Sequence, residues 1–302
     1  MDHPTFQKAL SNTADEVNRA LDDLLTQTGE PLEYDRPQRL VDAMRHGVLN
    51  GGKRVRPFLL MQSAALFGVD SKQARTAACA LEMLHSYSLI HDDLPAMDDD
   101  DLRRGLPTVH KAFDEATAIL AGDALLTYAF DLLSGESCHE SAEIRVRLVS
   151  LLARAAGQGG MIGGQMLDIA AQTLTPDEQG IRQLQAMKTG ALLAFACQAG
   201  AVLGRADPIS EEKLQRFGQI IGLAFQLADD LLDVTSDAQT MGKAVGKDAD
   251  QHKGTLVGIY GVEKTKAVLA DLVKQANECL ASFGNQAEML RQTARFIAER
   301  KN

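Results

Sequence analysis

The feature that most constrains this chain is a helical period that scarcely lets up from end to end. In "TFQKALSNTADEVNRALDDLL" the apolar residues Phe6, Leu10, Ala14, Val17, Leu21 and Leu24 return every three or four positions, one stripe of an amphipathic helix. Comparable stripes run through residues 37–49, 71–91, 110–133, 141–156, 177–203, 209–235, 262–283 and 286–300. Ala, Leu, Gln, Glu and Met fill them, side chains that lose little freedom in a helix. No segment alternates apolar and polar residues with a β-branched bias, so strands are not expected. Breakers in "NGGKRVRP" (50–57), "FGVDS" (67–71), "RRGLPT" (103–108), "LTPDE" (174–178) and "RADPIS" (205–210) separate the helices. None of these is a long linker, and no short-period repeat is visible. The pattern predicts one all-α domain over residues 1–302, a single large bundle of ten or more helices. Segments 71–91, 177–203 and 209–235 are apolar on more than one face and belong in its middle.

Charge narrows the function. Lys and Arg number 31 against 41 Asp and Glu, a formal charge of −10, which argues against a general nucleic-acid binder with its basic face. The cysteines Cys79, Cys138, Cys197 and Cys279 lie far apart with no CxxC, so a reducing compartment is expected rather than a disulfide framework or a zinc site. The N-terminus "MDHPTFQKAL" lacks the basic-then-apolar pattern of a signal peptide. The longest apolar run, Ala191 to Gly204, is too short to span a bilayer. These readings predict a soluble, cytoplasmic protein.

Two acidic clusters stand out. In "LIHDDLPAMDDDDLRRGLP", Asp92, Asp93, Asp98, Asp99, Asp100 and Asp101 crowd together just after an apolar run. Pro95 disfavours helix at Leu94 and removes a hydrogen bond, so the helix should kink or stop there. On an unbroken helix Asp92 and Asp98 would be turned about 240° from one another; a break lets Asp98 fold back. Asp99 to Asp101 read as solvated loop charge. In "AFQLADDLLDV", Asp229 and Asp233 lie about 40° apart on a helix and Asp230 about 100° from Asp229. Among Leu227, Leu231, Leu232 and Val234, such charges are costly unless something positive meets them.

Oxygen-only donors point to Mg²⁺ or Ca²⁺ rather than zinc. Neither cluster has the alternating acids and central glycine of an EF-hand loop. Mg²⁺ takes one or two carboxylates and completes its shell with water and phosphate oxygens, so the clusters read as a trap for a phosphorylated substrate. Cations accompany them: Lys53, Arg54 and Arg56 after Gly51 and Gly52, then Arg103 and Arg104, Lys188 beside Thr189, and Lys243, Lys247 and Lys253. Each alone reads as surface charge. No Walker A pattern is present, and no GxGxxG follows a strand.

Taken together, these motifs resemble the trans-isoprenyl diphosphate synthases, most closely the bacterial farnesyl diphosphate synthases, from "GGKRVRPFL" to "KGTLV". The first aspartate-rich motif is Asp92, Asp93 and Asp98, in the extended form of the bacterial enzymes; the second is Asp229, Asp230 and Asp233. The resemblance implies that both hold Mg²⁺, three ions per site with Mn²⁺ as a substitute, on an allylic diphosphate, dimethylallyl and then geranyl. Arg103, Lys188, Lys243 and Lys253 would neutralise further diphosphate oxygens. Isopentenyl diphosphate would lie on Gly52, Lys53, Arg56, His85 and Arg104. Thr189 and Gln226 would stabilise the allylic cation, with Gln165 and Asp168 lining the allylic side. The released diphosphate would take the final proton. Tyr87, with the small Ser88 beside it, would form the floor that stops the product at fifteen carbons rather than twenty. A homodimer is also implied. By chemistry alone His85 reads as structural, and His91 and His110 as packing residues or supports of neighbouring ligands. A class I terpene cyclase would replace the second motif with an Asn/Ser/Glu triad, a non-catalytic subunit would have lost carboxylates or the GGKR loop, and a metal buffer would not need the matched cations.

Overall fold

The computed structural model describes residues 3–28, 33–174, 176–240 and 255–299. The described residues are almost entirely helical, as the periodicity predicts, with more than ten helices. They sort into two compact units, one of residues 1–61 and 68–149, the other of residues 62–67 and 150–302. The chain crosses between the units three times, at 61/62 within the helix Val55–Ala65, at 67/68 in the short turn that follows it, and at 149/150 within the helix Ala142–Ala156, so no crossing is a linker.

The first unit holds α1 (His3–Leu24), α2 (Gln38–Leu49), the start of α3 (Val55–Ala65), α4 (Ser71–Asp92), α5 (Val109–Ala112), α6 (Glu115–Ser134) and the start of α7 (Ala142–Ala156). Asp70 begins α4, its carboxylate accepting from Lys72 N at 2.9 Å, the N-cap role short acidic side chains favour. Ala77 to Leu84 are buried without interruption, so α4 is the central helix anticipated from its all-round apolar pattern. It packs along α6. The approach is close: a Cβ on Gly122 would lie 2.1 Å from His91 Nε2, and that nitrogen donates to Ile119 O at 3.0 Å. His91 is thus a packing residue.

Two details depart from the sequence reading. The helix expected over 110–133 breaks at Phe113, and α6 starts anew with Asp114 accepting from Thr117 N at 2.7 Å. A ladder of two residues per strand also forms where no strand was expected, β1 (Leu102–Arg103) paired antiparallel with β2 (Leu106–Pro107). Arg104 and Gly105 between them both take positive φ, 54° and 80°, as a two-residue hairpin requires. A turn, not a β-period, makes these strands.

The second unit contains α8 (Met161–Ala171), α9 (Glu178–Gln185), a π-helical turn (Ala186–Gly190), α10 (Ala191–Leu203), α11 (Pro208–Thr240), α12 (Leu256–Tyr260), α13 (Val262–Cys279), a 3₁₀ segment (Ala281–Ala287) and α14 (Glu288–Glu299). The long helix expected over 177–203 is one continuous run with a π turn set into it. α10 is almost wholly buried and packs along α11, whose other sides carry α13 and α14. By length and composition alone, α6 and the run Glu178–Leu203 could each cross a bilayer, so the apolar run is longer as a helix than Ala191 to Gly204 suggested. In the second, 72% of the most apolar window is buried within the protein, the habit of a core helix.

α8 does not stand out in the sequence as an amphipathic helix. Its glycines oppose helix formation by about 1 kcal/mol each relative to alanine. Packing overrides that preference: a Cβ on Gly164 would sit 2.2 Å from Lys188 N. α11 meets the other end of the π turn equally closely, a Cβ on Gly222 falling 2.7 Å from Gly190 Cα.

Candidate active site

In the first unit, Gly51 and Gly52 adopt φ of 95° and 120°, conformations open to glycine but strained for other residues. The space above Gly52 is filled by the Arg104 guanidinium, 2.7 Å from where a Cβ would be. Arg104 donates to Asn50 Oδ1 at 3.0 Å and to Gly51 O. Lys53 is exposed at the loop's tip. Arg54 turns inward and is buried, donating to Glu82 Oε1 and Val48 O at 2.5 Å and to Asn18 Oδ1 at 2.9 Å. Of the three cations in "GGKRVRP", Arg54 therefore anchors the loop.

Arg56 opens toward α4 and donates from Nη1 to His85 Nε2 at 3.2 Å. Burial, followed by the charges of Arg56, Arg104, Arg54 and Arg103, holds His85 well below the usual histidine pKa. The ring is thus neutral, with its proton on Nδ1. A neutral imidazole ringed by guanidiniums is a surface made for an anion.

The first acidic cluster has the predicted geometry. α4 ends at Asp92, and Asp98 N donates back to Asp92 O at 2.8 Å. Asp99 then turns with φ 53°. Asp92 is half-buried and Asp98 exposed. Asp93 is buried, and Arg103 spans its carboxylate from Nε at 2.8 and 2.9 Å, with a further bond from Nη2. That bond raises the Arg103 pKa. Tyr87 is buried with its ring edge-on to His91 at 5.4 Å, and burial, with the charges of Asp92 and Asp123, pushes its hydroxyl up to about 12. Ser88 is half-buried and donates to His85 O at 2.8 Å. His110 is buried against Thr108 Oγ1 at 3.1 Å.

In the second unit the π turn presents Lys188 and Thr189 side by side. Lys188 Nζ reaches Asp168 Oδ2 on α8 at 2.6 Å, and Thr189 Oγ1 donates to Gln226 Oε1 on α11 at 2.7 Å. One turn further along α11, Asp229 and Asp230 are half-buried and Asp233 is exposed. Gln185 Nε2 donates to Asp230 Oδ2 at 3.1 Å. Gln165 projects from α8 with its Nε2 buried and without a partner among the described residues. π turns within α-helices recur at functional sites because they shift side chains out of register. Lys243, Lys247 and Lys253 lie outside the described residues.

Residues 37–290 match the family model for polyprenyl synthetases. The chain belongs to the polyprenyl synthetase family. A heterodimeric geranylgeranyl pyrophosphate synthase large subunit from Arabidopsis thaliana is 42% identical, the match covering 98% of this chain and 80% of that protein. The crystal structure of an FPP/GFPP synthase from Zymomonas mobilis is similar with a TM-score of 0.86 and 42% identity, covering 97% and 99% of the two chains. A geranyltransferase from Legionella pneumophila aligns with a TM-score of 0.85 and 31% identity, over 99% of each chain.

The donors of this polyprenyl synthetase fit Mg²⁺. Both clusters offer carboxylate oxygens at half-buried and exposed positions, and a buried amide stands beside Asp230. Among the described residues no three His, Cys, Asp or Glu side chains converge into a ready-made cage. That suits an ion which shares its shell with water and substrate phosphates. Within the first unit Asp92 and Asp98 would offer oxygens to such an ion, and within the second unit Asp229 and Asp230 would do so.

Sequence reasoning missed two contributors. Gln185 gave one signal, a polar residue four positions after Ile181 on the buried stripe of α9. The inward role of Arg54 gave none, because it depends on a φ of 49° that turns the side chain away from its neighbours.

Proposed function

We propose that this polyprenyl synthetase is a prenyltransferase that condenses isopentenyl diphosphate with an allylic diphosphate. The observation carrying the reading is the second unit's constellation: a lysine, two carbonyl or hydroxyl dipoles and an acidic helix face, gathered around one π turn. Divalent ions, when bound, lower the cost of diphosphate departure by taking up its developing charge. Lys188 adds a cation to the same task. The hydroxyl of Thr189 and the carbonyl of Gln226 turn their negative ends to the allylic carbon as its C–O bond breaks. In the first unit, Arg56, Arg104, Lys53 and the neutral His85 hold the metal-free diphosphate of isopentenyl diphosphate and orient its double bond for attack. Arg103, fixed by Asp93, stands beside the first cluster to neutralise diphosphate oxygens.

The product we propose is farnesyl diphosphate, because the buried Tyr87 places a large ring on α4 five residues before Asp92, about 7.5 Å along the helix. The name of the Arabidopsis thaliana relative favours a second reading, geranylgeranyl diphosphate. Incubation with isopentenyl and dimethylallyl diphosphates plus Mg²⁺, followed by product identification, decides between them. Tyr87→Ala should move the product from fifteen toward twenty carbons with the first condensation intact; a variant that still stops at fifteen removes Tyr87 as the floor. No product at all from the unaltered protein would refute the prenyltransferase reading itself.

The working form we propose is a homodimer in a reducing, cytoplasmic compartment. Exposed Ile119 and Leu120 on α6 and Val146 on α7 supply apolar surface for a second copy, and the four cysteines are unpaired. A monomer alone in sedimentation at micromolar concentration would contradict the dimer.

A further inference from the structure

Gln185 is the last residue of α9, and its side chain is 5% exposed. It shares the buried stripe of that helix with Ile181, where an apolar residue would serve packing better. Its Nε2 is spent on Asp230 Oδ2 at 3.1 Å. The Oε1 of the same planar amide is buried with no hydrogen-bond partner among the described residues. A buried carbonyl without a donor destabilises the fold, and such exceptions ask for an explanation.

We infer that Gln185 is a positioning residue for the second acidic cluster. Its Nε2 fixes the rotation of the Asp230 carboxylate, and its Oε1 would accept a hydrogen bond from a water in the shell of a divalent cation held there. Three features support this. The orphan atom is an acceptor, and water bound to a cation is a stronger donor than free water. Mg²⁺ keeps several waters when carboxylates hold it. Residues that orient metal-binding side chains act through hydrogen bonds of this kind. The inference rests on the reading that Asp229 and Asp230 hold a divalent ion.

The test uses the whole protein with inorganic pyrophosphate and Mn²⁺, whose binding is followed by electron paramagnetic resonance. Gln185→Met keeps the length and removes both polar atoms. It should unfold in metal-free buffer at the same temperature as the unaltered protein or higher, since the orphan acceptor is gone. Its apparent Kd for Mn²⁺ in the presence of pyrophosphate should nevertheless rise about tenfold, the effect typical of losing a group that orients a metal ligand. Gln185→Asn keeps an amide one methylene too short to reach Asp230 and should show the same loss, which preserves the test if the methionine variant does not fold. A purely structural role would lower the unfolding temperature and leave Mn²⁺ affinity unchanged, and that result overturns the inference. Failure of the unaltered protein to take up Mn²⁺ with pyrophosphate would overturn the underlying metal reading and the inference with it. Uptake by the unaltered protein with equal uptake by both variants defeats the inference alone.

Discussion

The two acidic clusters of this protein are built by opposite means. The first stands where a helix ends: α4 stops at Asp92, the chain turns through Pro95, and Asp98 comes back to hydrogen-bond with the Asp92 carbonyl. The second stands where a helix continues, on α11 between Pro208 and Thr240. Spacing follows from this difference. A separation of four residues, Asp229 to Asp233, keeps two carboxylates near one face only if the helix is unbroken. A separation of six, Asp92 to Asp98, does so only if it is broken. The surroundings differ as well. Asp93 is bound by an arginine and buried, whereas Asp230 is held by a neutral amide, which orients the carboxylate without neutralising it.

If the clusters do equivalent work despite this, Asp92→Ala and Asp229→Ala should each lower turnover by roughly a thousand-fold or more, the size expected when several kcal/mol of transition-state stabilisation are removed. Unchanged circular dichroism would show that the fold survives. A large loss in only one of them would break the equivalence.

Proline should act oppositely at the two places. Leu231→Pro inserts a ring into a continuous helix and should cost about 3 kcal/mol or more of stability, seen as a lower midpoint in urea unfolding. Pro95→Ala removes a ring from a helix end and should leave that midpoint almost unmoved. It favours continuation of α4, which carries Asp98 away from Asp92, and turnover should fall about tenfold, equivalent to about 1.4 kcal/mol. Unreduced turnover in Pro95→Ala would mean that the helix break does not depend on Pro95 in the way described.

The smallest expected effect concerns the cation cluster behind the first motif. An unfolded histidine binds a proton near pH 6.5, whereas His85 does so only well below that value. Between those limits the unfolded chain carries the extra proton. Stability is therefore full above about pH 6.5 and declines as pH falls below it, by up to ~1.4 kcal/mol per pH unit. His85→Gln should flatten the decline in denaturant titrations between pH 6.5 and 5. Parallel slopes for both proteins would show that the ring is not held neutral.

The helical class and both acidic motifs were legible in the sequence because they depend on short-range geometry. A 3.6-residue period and a proline act within a turn or two of chain, and they placed α4, α11 and the return of Asp98 correctly. The cations illustrate the limit. "GGKRVRP" shows three equivalent charges, yet Arg54 is sealed against Glu82 while Arg56 meets His85. Only backbone turned to positive φ at Gly51, Gly52 and Arg54 makes that division.

What the sequence determined by itself was the menu of local elements and the chemistry they could bring: helices, a break after Asp92, carboxylates for a hard cation and cations for a diphosphate. Tertiary structure decided which groups meet. The glycines of α8 read locally as helix breakers, but form a helix because only a chain without Cβ atoms can pass so near the π turn at Lys188. The pairings of Lys188 with Asp168, Thr189 with Gln226 and Gln185 with Asp230 join positions 20, 37 and 45 residues apart. No local preference specifies such contacts. They arise from close packing, which brings distant polar groups together at buried and half-buried positions where a partner or a ligand replaces lost water.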